Sequence, residues 1–204
     1  MVSGFQVFGD ALNAQVTSDT KNLMLQTYSD ISSSETSPST VIIEHDVVAL
    51  QPTVAGLSIS TDYYHSGRGQ QAVNGTGRVY QFGAYAAKGS SGLEVYNSDG
   101  SVAYTSSKPL MKVIDSGSVS LDSTFRKKYN KPVAIVFNSS LHAIYPSGGY
   151  TGLVTMSGVS IDSSGYIVVG QHVVEVISQY PGDEPDVGVS QSDFLVLDAS
   201  NLLQ

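Results

Sequence analysis

The sequence predicts an all-β protein made of antiparallel β-sandwich modules, and three observations lead there. Short runs of alternating or β-branched residues recur along the 204 residues, bounded by Gly, Pro, Asn and Ser. Charged residues make up only 14 % of the chain, against about a quarter in ordinary globular proteins. Ser, Thr, Gly and Tyr replace them, and these suit turns and half-buried strand faces better than helix surfaces. No stretch carries a long apolar period of 3.6 residues, and 11–26 is too rich in Thr, Asn and Ser to promise a helix.

Taken in order, Gly4-Phe5-Gln6-Val7-Phe8 opens the chain with an alternating strand. The first strong β-branched run is 41–50, and Pro52 limits its far end because proline cannot donate to a ladder. Glycines crowd 66–71 and 74–77, which read as a mobile contact loop: no Gly-Lys-Ser/Thr follows to make a phosphate cradle. Further strands are expected at 78–85, 93–97, 101–105, 132–138, 152–161, 166–169, 172–178 and 194–197. Asn97-Ser98-Asp99-Gly100 and Asp162-Ser163-Ser164-Gly165 supply the Asp, Asn and Gly of reversing turns, so the strands around them form hairpins.

One pattern occurs twice. Gly4-Phe5-Gln6-Val7-Phe8, then Thr17-Ser18 and Lys21-Asn22-Leu23-Met24, parallels Gly92-Leu93-Glu94-Val95-Tyr96, then Thr105-Ser106 and Lys108-Pro109-Leu110-Met111. Each copy reads as a hairpin followed by an apolar Leu-Met pair, with one apolar face that needs a covering sheet. The reading that follows is two β modules related by duplication, 1–88 and 89–204, divided at the small flexible run Lys88-Gly89-Ser90-Ser91. A single sandwich with one continuous core is the alternative.

Charge and composition exclude several functions. The formal net charge is −8 and the longest basic cluster is Arg126-Lys127-Lys128, so the surface repels phosphate backbones and no nucleic-acid partner is expected. The absence of Cys removes disulfides and thiolate metal sites. No basic n-region leads into an apolar run, and no window approaches the roughly 20 apolar residues of a spanning helix, so neither export nor membrane insertion is expected.

Catalytic candidates are sparse. His45, His65, His142 and His172 lack the spacing that puts two imidazoles on one face for zinc, and read as structural. The acidic turn Pro181-Gly182-Asp183-Glu184-Pro185-Asp186 offers oxygen ligands for calcium, but it lacks the alternating Asp register and is equally natural as a solvated loop. Gly-x-Ser-x-Gly is absent. No enzyme, metal site or cofactor is therefore expected. Tyrosine is the unusual resource: Tyr63, Tyr64, Tyr145 and Tyr150, with Tyr180, fall in expected loops or strand ends beside Gly, Pro or Ser. Exposed rings in such surroundings give large contact area at low entropy cost, which makes the first four the candidate contact residues. Tyrosine is also simply the common aromatic of β proteins.

The second copy of the pattern carries a family resemblance. Gly92-Leu93-Glu94-Val95-Tyr96-Asn97, an Asp99-Gly100 turn, a strand ending near Ser106 and the run Lys108-Pro109-Leu110 resemble a segment of small virion proteins of long-tailed siphophages. The first copy is the weaker match, with Asn22 in place of the proline. The likeness covers two spans of about a tenth of the chain each and brings no catalytic residue with it. It implies a structural protein of the tail tip, baseplate or tail fibre, assembled in bacterial cytoplasm into the virion. Its implied partners are other virion tail proteins, further copies of itself and a host cell-surface receptor. A carbohydrate-binding module or adhesin-like sandwich is the alternative reading.

Overall fold

Glycine decides how this chain turns from one sheet layer to the next. The computed structural model describes residues 4–9, 12–17, 22–32, 39–42, 47–62, 70–84, 92–96, 99–148, 151–178 and 184–203. In chain order its strands are β1 (Gly4–Gly9), β2 (Leu12–Thr17), β3 (Met24–Ser32), β4 (Ser39–Ile42), β5 (Val47–Pro52) and β6 (Ser58–Asp62). They continue with β7 (Gln70–Gly83), β8 (Glu94–Tyr96), β9 (Val102–Thr105), β10 (Val113–Ser120), β11 (Phe125–Lys127) and β12 (Val133–Phe137). The last five are β13 (His142–Gly148), β14 (Thr151–Ile161), β15 (Ile167–Ser178), β16 (Asp186–Val189) and β17 (Gln191–Asp198). No helix occurs among the described residues, and every ladder between the named strands is antiparallel, with one isolated parallel bridge between Ala55 and Ile161.

Thirteen strands form one curled sheet with two layers. The first layer runs β10-β17-β12-β5-β7-β3, using the second half of β7. The second layer pairs the first half of β7 with β4 and β6, and β6 leads on to β14 and then to β15 and β11; β13 and β16 lie on the β6 side of β14. The crossing point is 74–77, expected as loop and in fact the bend of the longest strand. Gly75 holds φ +101, and a Cβ there would stand 1.9 Å from the Ser58 carbonyl oxygen. At Gly77 a Cβ would lie 2.4 Å from the Gln51 carbonyl oxygen. Two backbones pass too close for any side chain, so glycine is needed inside the strand rather than at its end.

The main core lies between the layers. Leu50, Val79, Ile135, Phe194 and Val196 from the first layer meet Ile59, Val73, Val159, Ile167 and Val169 from the second. Phe125 and Phe137 present their edges to Phe194, with ring centroids 5.0 and 6.5 Å away. The first layer is apolar on its other face too, where Tyr80, Phe82, Ala134 and Leu197 are covered by Ala199 and Leu202 of the C-terminal turn and by Met111. This is why 132–138 and 194–197 read as unbroken apolar runs rather than alternations.

Several sequence expectations need correction. Strands from both sides of residue 88 interleave in one sheet and share one core, so 1–88 and 89–204 do not each enclose a core of their own. Of the run 41–50, the described residues belong to two strands, β4 and β5, which pair with opposite halves of β7; 43–46 lie outside the described residues. The expected strands 166–169 and 172–178 are one strand, β15, continuous through Gly170. The repeated hairpins are the two-stranded sheets β1-β2 and β8-β9, both outside the main sheet. Thr17 faces Gly4, whereas Thr105 faces Glu94, the counterpart of Gln6. The second pairing has slid by two residues at Glu94 and Val95, and a bulge before Tyr96 reduces the offset to one.

Candidate functional site

A cavity opens where the first layer comes apart. β12 and β5 share a single ladder pair, Ile135 with Leu50, while β12 pairs with β17 along its whole length. Beyond that pair lies a cavity of about 990 Å³ lined by Val47, Val48, Val136, Phe137, Phe194 and Leu195, with Ser116, Ser118, Asn138 and Asp193 as its polar members. Apolar walls with a few polar groups are what a binding site requires.

A second cavity of about 450 Å³ lies against the C-terminal turn, lined by Gln51, Arg78, Tyr80, Tyr129, Lys131 and Ser200 among others. Its polar side chains are held in place. Arg78 donates to both oxygens of Asp30 at 2.6 and 3.1 Å, and its guanidinium lies 5.4 Å from the Tyr28 ring centre. This contact lowers the Asp30 pKa. The Tyr80 hydroxyl donates to Gln51 Oε1 at 2.6 Å, and burial raises its pKa despite the nearby Arg78. Lys131 reaches Asp198 at 2.9 Å.

The basic cluster of the sequence is a set of pinned charges. Arg126 donates to Asp162 at 2.5 and 2.8 Å and stacks 3.7 Å from the Tyr166 ring centre; Lys127 reaches Asp115 at 2.7 Å. Lys128 donates to the Ser164 carbonyl oxygen. Arg126 and Lys128 thus tie the β11 segment to the turn between β14 and β15, and Lys127 ties it to β10. In that turn Asp162 accepts the N–H groups of Ser164 and Tyr166 at 2.9 Å each, and Gly165 adopts φ +78, as the sequence predicts for a reversing turn.

No protein-family model, curated protein or solved structure matches this chain. The site therefore has to be read from its own residues.

Of the candidate contact residues, Tyr145 is the one described. It lies within β13 rather than in a loop, half-buried, with its hydroxyl accepting from Gln171 Nε2 at 3.3 Å. Gln171 also donates to Thr155. Tyr63, Tyr64 and Tyr150 lie outside the described residues, as do Tyr180, His45, His65 and Asp183. His142 is half-buried on β13. His172 packs on Gly158, and burial lowers its pKa although a backbone hydrogen bond at Gly158 opposes this. Glu184 and Asp186 are exposed. Sequence reasoning missed both cavities. The Arg78–Asp30 pair joins residues 48 positions apart, and no local spacing announces it.

Proposed function

We propose that this chain is a structural protein of a long-tailed bacteriophage, belonging to the tail tip, baseplate or tail fibre and acting in assembly and host attachment. The observation that carries the reading is the form taken by the segment with the family resemblance. It folds as the hairpin β8-β9, a two-stranded sheet outside the main ladder network, with Leu93 and Tyr96 exposed. The run that follows is strapped to β3: Leu25 N–H donates to the Pro109 carbonyl and Met111 N–H to that of Leu23, both at 2.8 Å. A hairpin that buries Val102, Ala103 and Thr105 of β9 while leaving an aromatic and a leucine exposed at β8 presents an anchored apolar contact, suited to a neighbouring subunit. Mass spectrometry of purified particles, with electron cryo-microscopy to place the subunit, tests the proposal. Peptides of this chain at a fixed stoichiometry, with density at the tail, are expected; particles that lack it overturn the reading.

Glycan binding is the second reading, favoured by the second cavity, in which Tyr80, Tyr129, Arg78 and Gln51 are already held in place. Binding of the isolated protein on a glycan array, lost on Tyr129→Ala, would prefer it.

A further inference from the structure

The upper part of the second layer is a four-stranded sheet, β16-β13-β14-β15. On its outer side β15 is paired by β11 only over Ile167–Val169. From Gly170 to Ser178 no described strand continues the sheet. Such an edge displays unpaired N–H and C=O groups, and monomeric proteins usually blunt it with charge, proline, a bulge or shortness; here a bulge interrupts the run. The other outer strands of this layer are short: β11 has three residues, two of them basic, and β4 and β16 have four each. The open run of β15, Gly-Gln-His-Val-Val-Glu-Val-Ile-Ser, is long and contains neither Lys nor Pro.

A bulge gives this edge a special pattern. On β14, Thr155 faces Val173 and Val154 faces Glu175, which leaves Val174 without an opposite residue. Leu153 then faces Val176. Cross-strand partners share a face, and Thr155 and Leu153 lie two apart on β14, so Val173 and Val176 point to the same side although they are three residues apart. Both are exposed, at 39 % and 54 %.

We propose that the open edge of β15 pairs with the same edge of a second copy of this chain, antiparallel, about a twofold axis normal to the sheet. In an antiparallel pairing about a point between residues 174 and 175, Val173 of one copy stands opposite Val176 of the other, and Val176 opposite Val173. Each exposed valine gains a valine neighbour on the same face, twice over. Without the bulge, residues three apart would point to opposite faces, and no twofold pairing would bring them together. The main bodies lie toward opposite ends of the joined sheet, because β11 and the main core flank the Ile167 end of β15, while only the small cluster of Ile144, Val154 and Met156 packs on Ile177 at its other end. The pairing closes on itself, as an isologous interface does, and stands on edge geometry whether or not the chain works in a phage tail.

The absence of native cysteine makes the test clean. Residues opposite each other on antiparallel strands are within disulfide reach, whereas a three-residue offset is not. On mild oxidation a mixture of V173C and V176C proteins is expected to yield a covalent dimer. Each variant alone stays monomeric on a non-reducing gel, and the double variant V173C/V176C gives a dimer and nothing larger. V176K, which sets a charge opposite Val173, halves the mass seen by light scattering with an unchanged far-UV circular dichroism spectrum. A ladder from the double variant shows head-to-tail pairing and overturns the proposal. So does a dimer from either single variant alone, or a wild-type protein that stays monomeric at every concentration.

Discussion

Asp115 shows how a chain with few charges uses them. Its carboxylate accepts from Lys127 Nζ and the Tyr129 hydroxyl, both at 2.7 Å, and from the Ser116 N–H at 2.9 Å. These donors hold its pKa down to about 2. Burial, and then the hydrogen bond to Asp115, push the Tyr129 phenol upward, so that it stays a donor through the neutral range. At Asp198 burial works against the charged form, yet Lys131 and Ser200 still bring the carboxyl to about 2. An unfolded aspartate titrates near 3.9. A carboxyl depressed by folding stabilises the protein above the unfolded value, and that contribution disappears as pH falls through the folded one. The wild-type melting temperature should therefore drop between about pH 4 and pH 2. Asp115→Asn should be less stable than wild type at pH 6, with the difference closing by pH 2; a gap that persists at pH 2 would show that packing, not ionisation, is the role of Asp115.

At the scale of the element, β7 is the decisive case, and glycine is the residue to change. Gly100 and Gly75 both hold positive φ, at +81 and +101. A Cβ at Gly100 meets nothing within 4 Å, whereas at Gly75 it meets the Ser58 carbonyl at 1.9 Å. Gly100→Ala should lose only left-handed strain, roughly 1–2 kcal/mol. Gly75→Ala should lose that and overlap as well, about 2–5 kcal/mol together. Urea midpoints of the two variants check this, and equal losses would mean that β7 and β6 do not pass as closely as described. The same glycines show what the sequence reveals and conceals. Asn74-Gly75-Thr76-Gly77 has turn composition, but its glycines serve the close approach of backbones within a strand. β12, β14 and β17 were legible because apolar, β-branched runs survive any choice of partner. β3 was not: Thr27 to Asp30 are exposed beside the long β7 and carry no alternation. Tyr145 read as a loop residue because Pro146, Ser147 and Gly148 follow it, yet β13 continues through them against β14. The large cavity exists because β5 and β12 part after one ladder pair, a property of two distant strands that neither segment carries alone.

Across the whole molecule, the order of strands makes a firm statement about how the chain folds. Reading across the first layer, β10, β17 and β12 come from beyond residue 88, and β5, β7 and β3 come from before it. The second layer mixes the halves again where β6 pairs with β14. Cutting the chain at residue 88 would separate Leu50, Ile59, Val73 and Val79 from Ile135, Val159, Phe194 and Val196, all of them buried in one cluster. Each such side chain contributes about 1.5–3 kcal/mol by burial, while a whole domain is stable by only about 5–15 kcal/mol. Neither piece can lose that cover and remain folded. Fragments 1–88 and 89–204, produced separately, should each give a disordered circular dichroism spectrum without a cooperative melt, and should recover strand signal and a shared transition when mixed. The hairpins β1-β2 and β8-β9 do not change this expectation, since a lone two-stranded hairpin is marginal in water. A native-like spectrum with a sharp melt from 1–88 alone would mean that the first half carries a complete core, and the shared core would have to be abandoned.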